Sequence, residues 1–362
     1  MEKVAVRVIT KYLKKGNMAR CLRDILPSAG LTKEQREKIS EIVHDVVRWK
    51  KLYEYILDSR GLEYTAQAFV TLAMDGAQAD AHSYPFEFRY SCSPYVADVL
   101  KDHGELAEFL NETPPTALCV NFNKTNTAEV MQMLHEEHIP AERSILETAI
   151  LTTSVSKYSK VIHQRFAHVQ DENSQLIATL AAMLGESILD YCAGNGGKSL
   201  AMASCSKNTK NLHAYEVNSN KRTTLQQRCS EYNATVLVEE KPPKTLFDVV
   251  LVDAPCTGLG AARRNPEAKY TKGSGDFPTT QLSILNEAAR NVRTDGVLLY
   301  AVCTITLEET AQVINAFQQK NNYKVYPLDV GPHKEYLQKT NAGVFTLLPR
   351  GDLFFISALK KT

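Results

Sequence analysis

The 362 residues carry 42 Lys and Arg against 41 Asp and Glu, a formal net charge of +1, and 44% of the chain is apolar. This length exceeds the usual single domain and points to two or three, and no window approaches the ~18 uninterrupted apolar residues of a membrane span. The near-neutral total hides an asymmetry, because residues 1–60 hold fourteen Lys and Arg against eight Asp and Glu; such a region suits a polyanionic partner, although charge alone equally describes solvated helix faces.

The first thirty residues scatter Lys3, Arg7, Lys11, Lys14 and Lys15 among single apolar residues, without the continuous apolar stretch of a signal peptide, so a cytoplasmic protein is expected. Helical spacing runs through Val4, Val8 and Leu13, and again through Ile39, Ile42, Val43, Val46, Val47, Leu52, Ile56 and Leu57. Thr32 with Gln35 three positions on is a capping-box pattern opening the second run. A helical domain is expected over residues 1–85. Aromatic and Pro/Ser-rich text over 82–94 reads as a linker or an irregular passage.

A small α+β module is expected over 86–165. TALCVNFNK (116–124) reads as a strand, and Asn126 with Glu129 caps a helix ending near His138. His135 and His138 lie one turn apart there, but no third ligand is near and Pro140 stops the helix. The eight cysteines contain no CxxC pair. No metal is therefore expected, and most of the thiols read as small reduced core residues.

From residue 187 the pattern becomes strand, turn, helix, repeated. Apolar runs fall at Ile188–Cys192, Leu212–Val217, Val236–Val238, Phe247–Val252 and Val297–Val302. Continuous apolar strands mean a sheet covered on both faces, hence a doubly wound α/β domain over 166–362, whose ligands bind at the carboxyl ends of the strands. The first of these strands runs into Cys192-Ala193-Gly194-Asn195-Gly196-Gly197-Lys198, a turn that lets backbone N–H groups approach a ligand closely. A phosphate-binding loop of the GxxxxGK[ST] type would need glycine at position 192, where this chain has cysteine. The next strand ends in Glu216, placed to bind the two hydroxyls of a ribose. An adenosyl cofactor fits both features, and a cationic sulfonium tolerates the carboxylates of Asp190 and Asp253.

Two cysteines follow later strands, Cys256 in VDAPCTGLGAARRNP and Cys303 in YAVCTITLEET. At adjacent strand ends both would face the cofactor crevice. Carbon 5 of cytosine is a poor nucleophile until a thiolate adds to carbon 6, after which it can take a methyl group. Asp253 suits the ring nitrogen and amine of the base, and Lys198, Arg263 and Arg264 would favour a thiolate or hold phosphates. Chemistry alone does not say which cysteine attacks.

These motifs resemble those of the RNA cytosine-5 methyltransferases of the RsmB and NOL1/NOP2/Sun family: DYCAGNGGKS its cofactor loop, DAPCTGLG and VCTITLEET its two cysteine motifs, HVQDENSQ its VQD segment and PRGDLFFISALKK its closing strand. The resemblance implies a Rossmann-like class I methyltransferase core that uses S-adenosylmethionine. It makes Cys303 the nucleophile, gives Cys256 a part in product release, and places an adenine-contacting acid at Glu240 or Glu239. IVHDVVRWKKLYEYIL resembles a NusB-like RNA-binding domain, which favours ribosomal RNA as substrate over tRNA; a monomer is expected. The chain departs from the pattern at Asn195 for proline, Val302 for threonine and Thr310 for asparagine. The competing expectations are an RNA-binding assembly factor that keeps the fold without the activity, and a P-loop nucleotidase.

Overall fold

A computed structural model describes residues 1–78, 83–328, 335–346 and 348–361. The chain forms two compact units. One comprises Met1–Thr113 together with Ala261–Gly273, the other Pro114–Gly260 and Ser274–Thr362. The first unit thus runs past the expected boundary at 85 and takes in a second, distant stretch of chain.

In the first unit helices α1 (Glu2–Lys15), α2 (Met18–Ile25), α3 (Lys33–Arg48), α4 (Lys50–Ser59) and α5 (Ala66–Met74) precede the short α6 (Phe86–Arg89), α7 (Pro94–Leu100) and α8 (Gly104–Phe109). The apolar spacing becomes a shared core in which Val8, Ile9, Ile39, Val43, Val47, Leu52, Tyr53 and Phe69 pack together. Thr32 and Gln35 close the capping box that starts α3, each side chain bonding the other's backbone N–H. The aromatic passage is packing rather than linker: Phe88 of α6 stacks on Tyr55 of α4 with ring centroids 4.3 Å apart.

The second unit opens with a four-stranded antiparallel sheet ordered β2-β3-β1-β4, built from β1 (Thr116–Val120), β2 (Ala141–Arg143), β3 (Ala149–Thr152) and β4 (Ala167–Val169). Helix α9 (Thr127–Glu136), capped by Asn126, and the short α10 (Lys160–His163) accompany it. Then come α11 (Glu172–Leu184), β5 (Ser187–Asp190), α12 (Gly197–Cys205), β6 (Asn211–Tyr215), α13 (Ser219–Glu231), β7 (Leu237–Glu239), β8 (Phe247–Asp253), α14 (Phe277–Ala288), β9 (Val292–Val302), α15 (Ala311–Lys320), β10 (Tyr323–Val325), β11 (Leu337–Lys339), β12 (Val344–Thr346) and β13 (Phe355–Lys361).

Strands β7-β6-β5-β8-β9 pair in parallel in that order, and β13 adds antiparallel to β9. Their side chains alternate between two cores, as pleating requires. Ile188, Val249, Leu251 and Leu299 pack with Leu176, Ile177 and Leu180 of α11. On the opposite face Leu189, Val250, Val252 and Tyr300 pack with Leu285 of α14 and Ile314 and Phe317 of α15. The result is a doubly wound, Rossmann-like α/β sheet whose order reverses between β5 and β8, the place where such sheets bind ligands.

Candidate active site

Asp190, Glu216, Asp253 and the two cysteines sit at or just beyond the carboxyl ends of these parallel strands. From β5 the chain enters the glycine turn and becomes α12. Gly196 has φ +85°, and a Cβ there would stand 2.3 Å from Leu225 Cδ1, so only glycine lets the turn lie against α13. Helix α13 also holds the crevice through backbone carbonyls that the sequence did not single out. Arg228 donates to the Asn195 carbonyl at 2.7 Å and Arg222 to that of Glu216 at 2.9 Å. Where the family has a proline, this chain thus has a carbonyl held by a guanidinium.

Three carboxylates face this turn. Glu216, buried at the end of β6, accepts from the N–H of Gly194 at 2.9 Å and of Asn218 at 2.8 Å. A carboxylate offers about four acceptor positions, so two remain for a diol. Asp190 is 1% exposed; its Oδ2 accepts from Ser199 at 2.6 Å, whereas its buried Oδ1 has no partner among the described residues. Burial pushes its pKa up to about 6, and the Asp253 and Glu216 charges add to that against the pull of Ser199 and Lys198. An unpaired buried carboxylate atom is costly and suits a site that takes a cation. These acids fit an adenosyl sulfonium better than a polyphosphate.

Asp253, at the end of β8, accepts from Lys198 at 2.6 Å on Oδ2 and is half-buried. Burial pulls the Lys198 ammonium down, but Asp253 more than offsets this and holds it above its ordinary value. Lys198 is buried and lies 4.9 Å from the Phe354 ring centroid, so its charge serves Asp253 rather than an external phosphate. At the acidic pair, Glu239 is bonded to His213 at 2.8 Å, which leaves Glu240 as the exposed member.

The register pairs Asp253 of β8 with Ala301 of β9, and the two cysteines follow just beyond. Cys256 and Cys303 Sγ atoms lie 3.4 Å apart, both as free, half-buried thiols. Their hydrogen bond is the main cause that raises the Cys303 pKa well above the ordinary thiol value, followed by burial and the charges of Cys256 and Asp253; Lys198 opposes them and loses. Of the cations expected to favour a thiolate, Lys198 alone pulls the Cys303 thiol down. Arg263 differs from expectation too. Its side chain is 3% exposed within the helical unit, 4.2 Å over the Phe109 ring and paired with Glu112 at 3.2 Å, so it is not presented to a phosphate. Arg264 is half-buried in the same segment.

Glu309 and Asp171 also organise the site without having been singled out. Asp171 caps α11 and accepts from the Asp352 N–H at 2.9 Å, tying the VQD segment to the chain before β13. Glu309 joins the two cysteine loops. Its signal was its place in the VCTITLEET motif, but its bonding is not readable from sequence.

Residues 177–360 match the family model described as 16S rRNA methyltransferase RsmB/F. The chain belongs to the RsmB/F methyltransferase family. Among members of known name, a probable ribosomal RNA small subunit methyltransferase B of Bacillus subtilis (strain 168) is 32% identical over 270 residues, 68% of this chain and 60% of that protein. A Homo sapiens 28S rRNA (cytosine(4447)-C(5))-methyltransferase is 29% identical over 270 residues, 67% of this chain and 33% of that one. The chain spans about three fifths of the length of the bacterial curated relatives it matches. In fold it is similar to the crystal structure of PH0851, with TM-score 0.82 at 20% identity over 99% of this chain and 98% of the other. NSun6 from Pyrococcus horikoshii, solved with SFG, has TM-score 0.64 at 15% identity, covering 74% and 96%. Among the described residues no helix is long and apolar enough to cross a membrane.

Proposed function

We propose that this RsmB/F-family protein is an S-adenosylmethionine-dependent RNA cytosine-5 methyltransferase acting on ribosomal RNA, as a cytoplasmic monomer. The observation that carries the reading is the thiol pair, two cysteines 3.4 Å apart at the ends of adjacent parallel strands, beside an acid-lined turn. The printed names of the relatives, small-subunit methyltransferase B and a 28S cytosine-C5 enzyme, support the substrate class.

When bound, S-adenosylmethionine supplies an electrophilic methyl group. The turn 192–198 would receive its methionyl part with Asp190 facing the positive charge, Glu216 would hold the ribose, and Glu240 the adenine. Cys303 would bond to carbon 6 of a cytosine taken out of the stack, since a thiol cannot reach that atom inside a helix, and the thiol proton would pass to the ring nitrogen beside Asp253. Asp253, held by Lys198 on one oxygen, would take the amine of the base on the other. After the methyl has moved to carbon 5, loss of the proton there lets the Cys303 sulfur leave, and Cys256 is placed to assist this. Exposed Lys3, Arg7, Lys14, Arg20 and Arg23 of α1 and α2, with Arg264, are the cations proposed to hold RNA phosphates.

Cys303→Ala should lower methylation by about 10⁴-fold or more. Cys256→Ala should let attack proceed but not release, so that a covalent protein–RNA band appears on a denaturing gel. Bisulfite sequencing of small-subunit RNA, with and without the protein, identifies the cytosine. A Cys256→Ala protein that forms no adduct on a verified substrate would overturn the assignment of the two thiols.

A further inference from the structure

Glu309 is 0% exposed, and its carboxylate gathers five donors. Thr257 donates through its N–H at 2.9 Å and Gln281 through Nε2 at 3.0 Å to one oxygen, while the hydroxyls of Thr257 at 2.5 Å, Thr306 at 3.0 Å and Thr304 at 3.3 Å reach the other. All five partners are uncharged. The backbone is pinned as well, because the Tyr300 hydroxyl donates to the Glu309 carbonyl at 2.8 Å.

Thr257 follows Cys256 and Thr304 follows Cys303, so a single carboxylate is bonded to the next residue after each thiol. Gln281 also donates to the Pro255 carbonyl at 2.9 Å, fixing the residue before Cys256 from the same side. The two threonine hydroxyls meet at 2.9 Å, so the single proton of Thr304 is shared between Thr257 Oγ1 and Glu309. Burying a carboxylate without a cation is expensive, and packing alone would be served as well by an apolar residue of similar volume. A fully satisfied buried polar hub instead specifies one arrangement of the groups around it.

We propose that Glu309 is the positioning residue of the cysteine pair, setting the separation at which one thiol can act on an adduct formed by the other. This rests on the function proposed above, and it acts through Thr257 and Thr304 rather than on the substrate. Glutamine at 309 keeps the size but puts an N–H₂ where an oxygen accepted, either toward the Thr257 N–H and Gln281 Nε2, donors facing donors, or toward the hydroxyls of Thr257, Thr304 and Thr306, which must then turn to accept; either way the hub loses bonds and the loops should part.

The separation can be read without RNA by phenylarsine oxide, which chelates two thiols only when both sulfurs are within its reach. The full-length protein should bind it through this pair, a signal absent in Cys256→Ser. Glu309→Gln should weaken that chelation about tenfold or more and lower kcat about 100-fold, with the Kd for S-adenosylmethionine changed by no more than about twofold. Thr304→Val, which removes one donor and should fold, should weaken chelation and kcat in the same order but less. A Glu309→Gln protein that keeps both arsenical affinity and turnover overturns the proposal. So does one that loses cofactor binding and thermal stability together with turnover while Thr304→Val chelates like the wild type. If the wild type chelates the arsenical through this pair but methylates no RNA, the proposed substrate fails and the positioning role stands.

Discussion

At Asp190 the same burial that prepares a site for a cation makes the ligand-free protein less stable. The folded pKa of about 6 stands above the ordinary value near 4 of an unfolded aspartate. Between those two values the unfolded chain gives up its proton and the folded chain keeps it, so this group's contribution is intact below pH ~4 and is lost as pH rises to ~6, on the order of 2–3 kcal/mol in all. Asp190→Asn removes the titration. Urea melts of variant and wild type from pH 4 to 7 should diverge across that window, with the variant the more stable at pH 7, while calorimetry should show S-adenosylmethionine binding weakened about tenfold. A constant difference between the two proteins across the window would mean that Asp190 is already ionised in the fold. This residue was readable from sequence only as a tolerated carboxylate. Its unpartnered atom depends on what packs over it.

At the scale of elements, the strands carrying the site were legible because each is a continuous apolar run, and the caps at Thr32 and Asn126 because capping is local chemistry. Helix α6, of four residues, is too short for periodicity to emerge, so its aromatic text read as a linker or an irregular passage. The contacts that join loops were invisible for the opposite reason, since they link distant positions. Gly260 shows one of them. Its N–H donates to the Cys303 carbonyl and its own carbonyl accepts from Leu353, both at 3.0 Å. A Cβ at this position would lie 2.2 Å from the Leu353 carbonyl oxygen and 3.1 Å from that of Cys303, backbone atoms that cannot swing aside. Gly260→Ala should therefore cost about 2–3 kcal/mol in a denaturant melt, in the range of overpacked cores, and should also part the thiols and lower kcat. Arg228 makes a gentler test. Arg228→Met frees the Asn195 carbonyl at an exposed site, so the ligand-free melting temperature should barely change while KM for S-adenosylmethionine rises a few-fold, matching the ~1 kcal/mol net worth of one ordinary hydrogen bond. Unchanged KM would mean that the turn keeps its shape unaided.

For the molecule as a whole, what the sequence hid most completely is that the helical unit is made from two separate stretches of chain. By sequence, Arg263 and Arg264 of RRNP read as cations that favour a thiolate or hold phosphates. Yet residues 261–273 belong to the compact unit begun by residues 1–113 and bond its buried polar groups. Lys269, 1% exposed, donates to the carbonyls of Arg48 at 2.9 Å and Tyr90 at 3.1 Å and to the Asn111 side chain. Burial pulls its pKa down to about 7. Tyr270 donates to the Val47 carbonyl at 2.6 Å, Ser93 N–H bonds the Lys269 carbonyl at 2.9 Å, and Arg48 bonds the Arg263 carbonyl at 2.9 Å. A fragment of residues 1–113 would leave these groups unmatched in its interior, at about 1–3 kcal/mol each, enough together to consume the stability of a small domain. The fragment alone should show helical circular dichroism but a broad, non-cooperative melt. A synthetic peptide of residues 261–273 added in trans should sharpen that melt and raise its midpoint in proportion to the logarithm of its concentration, and the same peptide with Lys269→Met should do so far less. A fragment that melts cooperatively by itself, indifferent to the peptide, would show that residues 261–273 lie against a unit already complete without them.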